Sequence, residues 1–194
     1  MPTYDRSECV VFCKTEAAFG GFSNMAGGFP LRFSGQYYFT SEHLYQSLRF
    51  PGFPSIQEEI RQIRSPMGAK MASKKYRANH SRSDWDVVCE DVMRFCLRLK
   101  LRDYVGKFGR LFRESEGKEI VEESRRNRDD MWSARAKKDN PGVLVGDNKL
   151  GNLLMELRDE FLSLEPGEKV PLPDFGWLVT LESLAKTHCD AEVA

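Results

Sequence analysis

The stretch from Trp85 to Leu99 constrains this chain more than any other. Trp85, Val88, Val92, Phe95 and Leu99 recur close to once per helical turn, the signature of a helix with one face turned to a core. Ser83-Asp84-Trp85-Asp86 resembles a capping box with Asp in place of Glu, so the helix is expected to open there and run to about Val105. A helix that long needs partners along its apolar face. The flanking sequence supplies them: helical patterns over 41–50, 55–64 and 66–77 precede it, and others over 107–115 and 150–162 follow. Ser65-Pro66 marks one of these starts, with Ser as N-cap and Pro at the first helical position. Strand patterns are few: 8–14, a hairpin over 31–39 and a short run at 119–124. Residues 125–145 read as a long polar loop, a length associated with function or disorder inside a compact domain. The expected fold class is α+β, predominantly α-helical, with a small antiparallel β-sheet in a single domain over 1–163. Residues 164–194 are expected to be a linker and a short C-terminal appendage.

Charge and cysteine usage narrow the functional classes. The chain carries 29 basic and 29 acidic side chains, so no global field draws it to nucleic acid and phosphate contacts must be local. The five cysteines form no Cys-x-x-Cys pair, and His43, His80 and His188 are scattered; no metal and no cofactor is expected. With no apolar run near 18 residues and no secretory segment at the start, the expectation is a cytoplasmic protein without a membrane partner.

Several residues stand out chemically. Glu42, in Thr40-Ser41-Glu42-His43-Leu44-Tyr45-Gln46, falls in the first turn of a helix, where unpaired N–H groups favour a carboxylate. The same position is an ordinary partner for the helix dipole, but Tyr45 and Gln46 follow at i+3 and i+4, so three polar-tipped side chains share one edge. Asp129 and Trp132 form Asp-x-x-Trp in the long loop, which presents a carboxylate beside a flat ring or pins the loop to the core. Trp85, taken alone, reads as core. Lys100 sits among leucines near a helix C-terminus; the dipole favours it there, and a desolvated lysine is also the usual imine-forming nucleophile. The glycines at 20, 21, 27 and 28 match no phosphate-loop motif. The basic run Lys70, Lys74, Lys75, Arg77, Arg82 reads as a solvated face that a phosphodiester backbone could meet.

Together these residues resemble the NADAR (YbiA-like) superfamily over about 19–161. The resemblance rests on Phe22-Ser23-Asn24, Thr40-Ser41-Glu42-His43 with Tyr45-Gln46, Ser65-Pro66-Met67, Trp85, Lys100, Val121-Glu122, Asp129-x-x-Trp132, and Asn148-x-Leu150-Gly151 with Leu154-Met155-Glu156-Leu157-Arg158. It implies hydrolysis of N-glycosidic bonds on ribosyl compounds. One branch of the superfamily acts on riboflavin-biosynthesis intermediates. The other removes ADP-ribose from guanine in DNA and is often paired with a DarT-type ADP-ribosyltransferase toxin. Leu44-Tyr45-Gln46-Ser47-Leu48-Arg49-Phe50-Pro51 and Phe19-Gly20-Gly21-Phe22-Ser23-Asn24-Met25-Ala26-Gly27-Gly28 are similar to the toxin-linked branch. The implied partners are therefore guanine-linked ADP-ribose on DNA and a cognate toxin. One departure is visible: the family follows Trp132 with Gly, whereas this chain has Ser133-Ala134-Arg135.

Breaking a bond at C1″ of ribose builds positive charge on the sugar, which a fixed carboxylate stabilises while a second group moves a proton. On this reading Glu42 is the acid/base, Asp129 orients the ribose, and Lys100 is the nucleophile of a ring-opened imine alternative. Trp85 and Trp132 are expected as flat walls. Phe22, Ser23, Asn24, Tyr45, Arg49, Asn148 and Gly151 are expected to contact substrate. A non-catalytic ADP-ribose-binding module is the remaining alternative.

Overall fold

The computed structural model describes residues 1–124 and 130–173. Its described residues divide into two compact units, one of Met1–Gly27 with Leu97–Val170 and one of Gly28–Cys96 with residues 171–173. The class is α+β, as the sequence leads one to expect.

The first unit begins with β1 (Thr3–Asp5) and β2 (Cys9–Phe12), followed by a single 3-10 turn at Gly20–Phe22. In the second unit come β3 (Leu31–Phe33), β4 (Gln36–Tyr38), α1 (Ser41–Ser47), α2 (Pro54–Gln62), α3 (Pro66–Lys74) and α4 (Arg77–His80). The long helix α5 (Trp85–Asp103) crosses the division, and the chain then returns to the first unit. There it forms α6 (Val105–Glu114), β5 (Glu119–Glu122), β6 (Arg135–Ala136), β7 (Val143–Val145) and α7 (Lys149–Ser163).

Among the described residues, three small sheets replace the single antiparallel sheet expected. β1, β7 and β6 form an antiparallel three-stranded sheet, and β3 and β4 form a hairpin. β2 and β5 pair in parallel, with Val10 opposite Ile120. Parallel pairing requires a long crossover, and more than a hundred residues separate these strands. The span read as one polar loop contains β6 and β7. Between them, Asn140-Pro141-Gly142 turns the chain, and Val143-Leu144-Val145 supplies strand-forming residues.

The cores follow from these pairings. In the first unit Phe22 is fully buried against Phe12, Phe108 and Phe112, with ring centroids 5.4–5.9 Å apart. Tyr4, Val121, Ala134 and Leu144 form a second cluster beneath the three-stranded sheet. The first N–H groups of α7 are satisfied by the preceding loop: Lys149 and Leu150 donate to the carbonyls of Met131 and Trp132. In the second unit the hairpin turns on Ser34-Gly35, both at positive φ (48° and 71°), as a two-residue turn between twisted strands requires. Phe50, Ile56, Ile60 and Ala69 pack together across α2 and α3. Ser65 caps α3 by accepting from Gly68 N at 3.2 Å, with Pro66 in the first turn, as the sequence suggests. The start of α5 differs slightly from expectation. Asp84 occupies the cap position, its carbonyl accepting from Val87 and Val88, while its carboxylate is held by Arg82.

Candidate active site

Helix α1 is the anomaly of the second unit. All seven of its residues are buried, and five of them are polar or charged: Ser41, Glu42, His43, Gln46 and Ser47. A helix chosen for packing alone would not place these groups out of water, because each needs a partner there. His43 is explained structurally. Its Nε2 donates to the Ile63 carbonyl at 2.7 Å and its Nδ1 lies 2.8 Å from the Thr40 hydroxyl. Burial pushes its pKa down, which favours the neutral ring.

Glu42 is only 4 % exposed. Its Oε1 accepts from Gln46 Nε2 at 2.8 Å and lies 3.9 Å from Lys70 Nζ. Gln46 is itself held from behind, its Oε1 accepting from Ser73 Oγ at 2.7 Å and from Arg77 at 3.1 Å. Arg77 also donates to Ser73 Oγ at 3.0 Å. The edge shared by Glu42 and Gln46 is thus real, and α3 and α4 extend it with Ser73 and Arg77. From the sequence alone, Arg77 and Lys70 read as part of a solvated face. The i, i+4 spacing of Ser73 and Arg77, both turned toward α1, was the available signal.

Tyr45, Arg49 and Trp85 form a second cluster in the same unit. The Tyr45 and Trp85 rings lie 5.1 Å apart, and the Arg49 guanidinium sits 4.8 Å from the Trp85 ring centre, a cation–π distance. Arg49 Nε donates to Ser81 Oγ at 2.7 Å, and Ser81 Oγ donates to the Arg77 carbonyl at 2.8 Å. Trp85 is 6 % exposed. It is a packed platform for Arg49 and not the open wall expected. Burial raises the Tyr45 phenol far above its ordinary range, with a smaller contribution from the nearby Cys89 and Glu42.

The first unit holds the remaining expected residues. Lys100 is fully buried, with Nζ donating to the carbonyls of Gly21 at 2.5 Å and Ser23 at 3.1 Å and lying 4.6 Å from the Phe108 ring centre. Burial lowers its pKa from 10.5 to about 7, the range of an amine able to act as a nucleophile. Phe22 was expected against substrate, and the structure corrects this: it lies at the centre of the aromatic core with no exposed surface. Ser23 and Asn24 are also buried, and Ser23 Oγ accepts from Met25 N at 3.2 Å. Trp132 is half-buried, with its backbone engaged by Asp130 and Leu150.

Asn148 and Gly151 serve the fold, which corrects their expected place in substrate contact. Asn148 takes a left-handed conformation (φ 50°) with no exposed surface. Its amide donates to the Ile120 carbonyl at 2.8 Å and accepts from Glu122 N at 3.0 Å, clamping α7 to β5. At Gly151 a Cβ would collide with the Ile120 carbonyl and the Asn148 amide. Asp129 lies outside the described residues. Among those residues no cluster of His, Cys, Asp or Glu could hold a metal, and no helix is long and apolar enough to cross a membrane.

The NADAR domain family matches residues 11–162. The chain belongs to the NADAR family. This NADAR chain is 34 % identical over 149 residues to N-glycosidase YbiA of Escherichia coli K12, an alignment covering 77 % of it and 86 % of that protein. The same protein from Shigella boydii aligns equally well. The NMR structure of Escherichia coli YbiA matches with a TM-score of 0.64 and 31 % identity, covering 83 % of this chain and 92 % of that one. The fold is therefore YbiA-like, and both the Glu42 and Lys100 sites lie inside the matched span.

Proposed function

We propose that this NADAR protein hydrolyses N-glycosidic bonds of ribosyl compounds, with Glu42 as the acid/base. The observation that carries the reading is a carboxylate 4 % exposed on a fully buried polar helix, fixed by Gln46. Such a group is shielded from bulk water and held rigidly, as charge stabilisation at a developing oxocarbenium requires. The curated relatives, named N-glycosidases, support the reaction class.

The finer proposal is that the substrate is guanine-linked ADP-ribose on DNA and that the protein is the antitoxin to a DarT-type transferase. Its support is the Arg49-Phe50-Pro51 and Phe19–Gly28 segments. Arg49, seated on Trp85, is the cation proposed for the substrate's phosphates. In the reaction the C1″–N bond breaks and a C1″–O bond forms from water; the water proton passes to Glu42 and on to the leaving nitrogen. Asp129 is proposed to orient the ribose. Lys100 belongs to the alternative route, in which the ring-opened sugar forms an imine.

Mass spectrometry of guanine-modified oligonucleotide after incubation with the protein tests this directly. Release of ADP-ribose with restored guanine is expected, at a rate exceeding turnover of a free pyrimidine ribosyl-phosphate. Faster turnover of the small molecule would move the assignment to riboflavin-type intermediates. Tight binding with intact substrate would make the protein a reader. Glu42→Gln should lower turnover by roughly 100-fold or more; near-normal turnover would end the assignment of Glu42.

A further inference from the structure

The two oxygens of Glu42 are not equivalent, and the reason lies behind Gln46. A free glutamine amide can be turned either way. Here Oε1 of Gln46 accepts from both Ser73 Oγ and Arg77, at 2.7 and 3.1 Å. Reversing the amide would set its NH2 group against the Arg77 guanidinium, which can only donate, and its oxygen against Glu42 Oε1, an acceptor. The orientation is therefore locked, and the Gln46 NH2 is always aimed at Glu42 Oε1. Lys70 approaches that same oxygen.

We propose that Gln46 and Arg77 are positioning residues for the reaction. The clamped amide keeps Glu42 Oε1 as a permanent acceptor, so Oε2 is the oxygen that takes the proton from water and returns it to the leaving nitrogen. This rests on the reading of Glu42 as acid/base.

The geometry around Arg77 supports a dedicated role. Its Nε is buried without a hydrogen-bond partner among the described residues, and a buried guanidinium left partly unsatisfied costs stability. The fold nevertheless holds it where its charge acts on Glu42. The other charged or titratable groups facing Glu42 are Lys70 from α3, Tyr45 on α1 and Cys96 from α5. Burial holds Tyr45 and Cys96 in their neutral forms at neutral pH, so Arg77 and Lys70 are the cations that face the Glu42 carboxyl group.

Position and mere packing separate experimentally. Gln46→Met and Arg77→Met should each lower kcat about tenfold or more through misplacement of Glu42, while KM moves less than about threefold. Arg77→Lys keeps the charge without the fork and should lose kcat in the same way. Lys107→Met, an equal charge change at an exposed position of α6, should leave kcat in place. The clamp also predicts that the Gln46 side-chain NH2 exchanges with solvent about tenfold or more slowly in the wild type than in Arg77→Met, read by NMR without any substrate present. A folded Arg77→Met protein with unchanged kcat overturns the proposal. If Arg77→Met does not fold, unchanged kcat in both Arg77→Lys and Gln46→Met overturns it instead. A wild-type protein inactive on every ribosyl substrate defeats the functional reading, while the Gln46 amide exchange, compared with Arg77→Lys where Arg77→Met does not fold, still decides the clamp.

Discussion

The joint between α7 and β5 rests on one missing side chain, and replacing Gly151 by alanine measures it. The new Cβ would overlap the Ile120 carbonyl and the Asn148 amide. Neither can give way cheaply, since the carbonyl is backbone of a strand held in register by β2 and Asn148 is locked between Ile120 and Glu122. Helix α7 must therefore shift away from β5. Overpacking of this kind costs about 1–3 kcal/mol. Breaking the two Asn148 bonds adds about 1–1.5 kcal/mol each, because their buried partners are left unsatisfied. The sum is about 3–6 kcal/mol, a large share of the ~5–15 kcal/mol that holds a domain folded. Urea unfolding followed by circular dichroism reads this as a midpoint lowered by about 2 M, for an m-value of about 2 kcal/mol/M. Gly106→Ala is the control. It lies in α6 with nothing within 4 Å of an added Cβ, so the midpoint should hold or rise slightly from helix propensity. A Gly151→Ala midpoint within about 0.3 M of wild type would refute the close-approach argument.

Two further outcomes concern Lys100. Its pKa is about 7 in the fold against 10.5 outside it, so between these values the unfolded chain binds the extra proton and stability rises with pH. Urea midpoints of wild type and Lys100→Met across pH 6.5–10 should diverge, the variant losing that rise; parallel curves would contradict the burial effect. If the imine route operates, borohydride in the presence of substrate should attach sugar to Lys100, with yield increasing as pH passes through about 7 and vanishing in Lys100→Met. Absence of any lysine adduct excludes that route.

How much of this was legible in the sequence depends on the range of the interactions involved. Periodicity found α5 and α7, and local capping chemistry found the start of α3 at Ser65-Pro66, because these signals lie within a few residues. The edge of Glu42 and Gln46 was legible for the same reason. Strands of two or three residues such as β6 and β7 carry too little pattern to stand out from a polar span. The parallel partnership of β2 with β5 is set by residues far apart in the chain, so alternation alone could not show it. The motif residues Phe22, Asn148 and Gly151 were read as ligand contacts since a motif records that a residue matters, not why. Phe22 fills the aromatic core, and Asn148 with Gly151 lets a helix lie directly on a strand.

Lys100 shows how one residue can carry both demands. Its hydrogen bonds to Gly21 and Ser23 tie α5 to the loop that bears Phe22, which is reason enough for a lysine there. Those bonds are open to either protonation state, because an ammonium and an amine can each donate to two carbonyls, although the carbonyls and the Phe108 ring hold the cation more strongly and burial must outweigh them. Burial chooses, and it does so near neutrality. A merely structural lysine on the surface would keep its proton until far higher pH. A nitrogen held in one place by backbone carbonyls, and able to lose its proton at ordinary pH, has the prerequisites of an imine-forming group. The same burial limits access, so a ring-opened sugar reaches it only if the Gly20–Asn24 segment yields. The trapping experiment thus tests the mobility of that glycine-bearing turn as much as the chemistry of the amine.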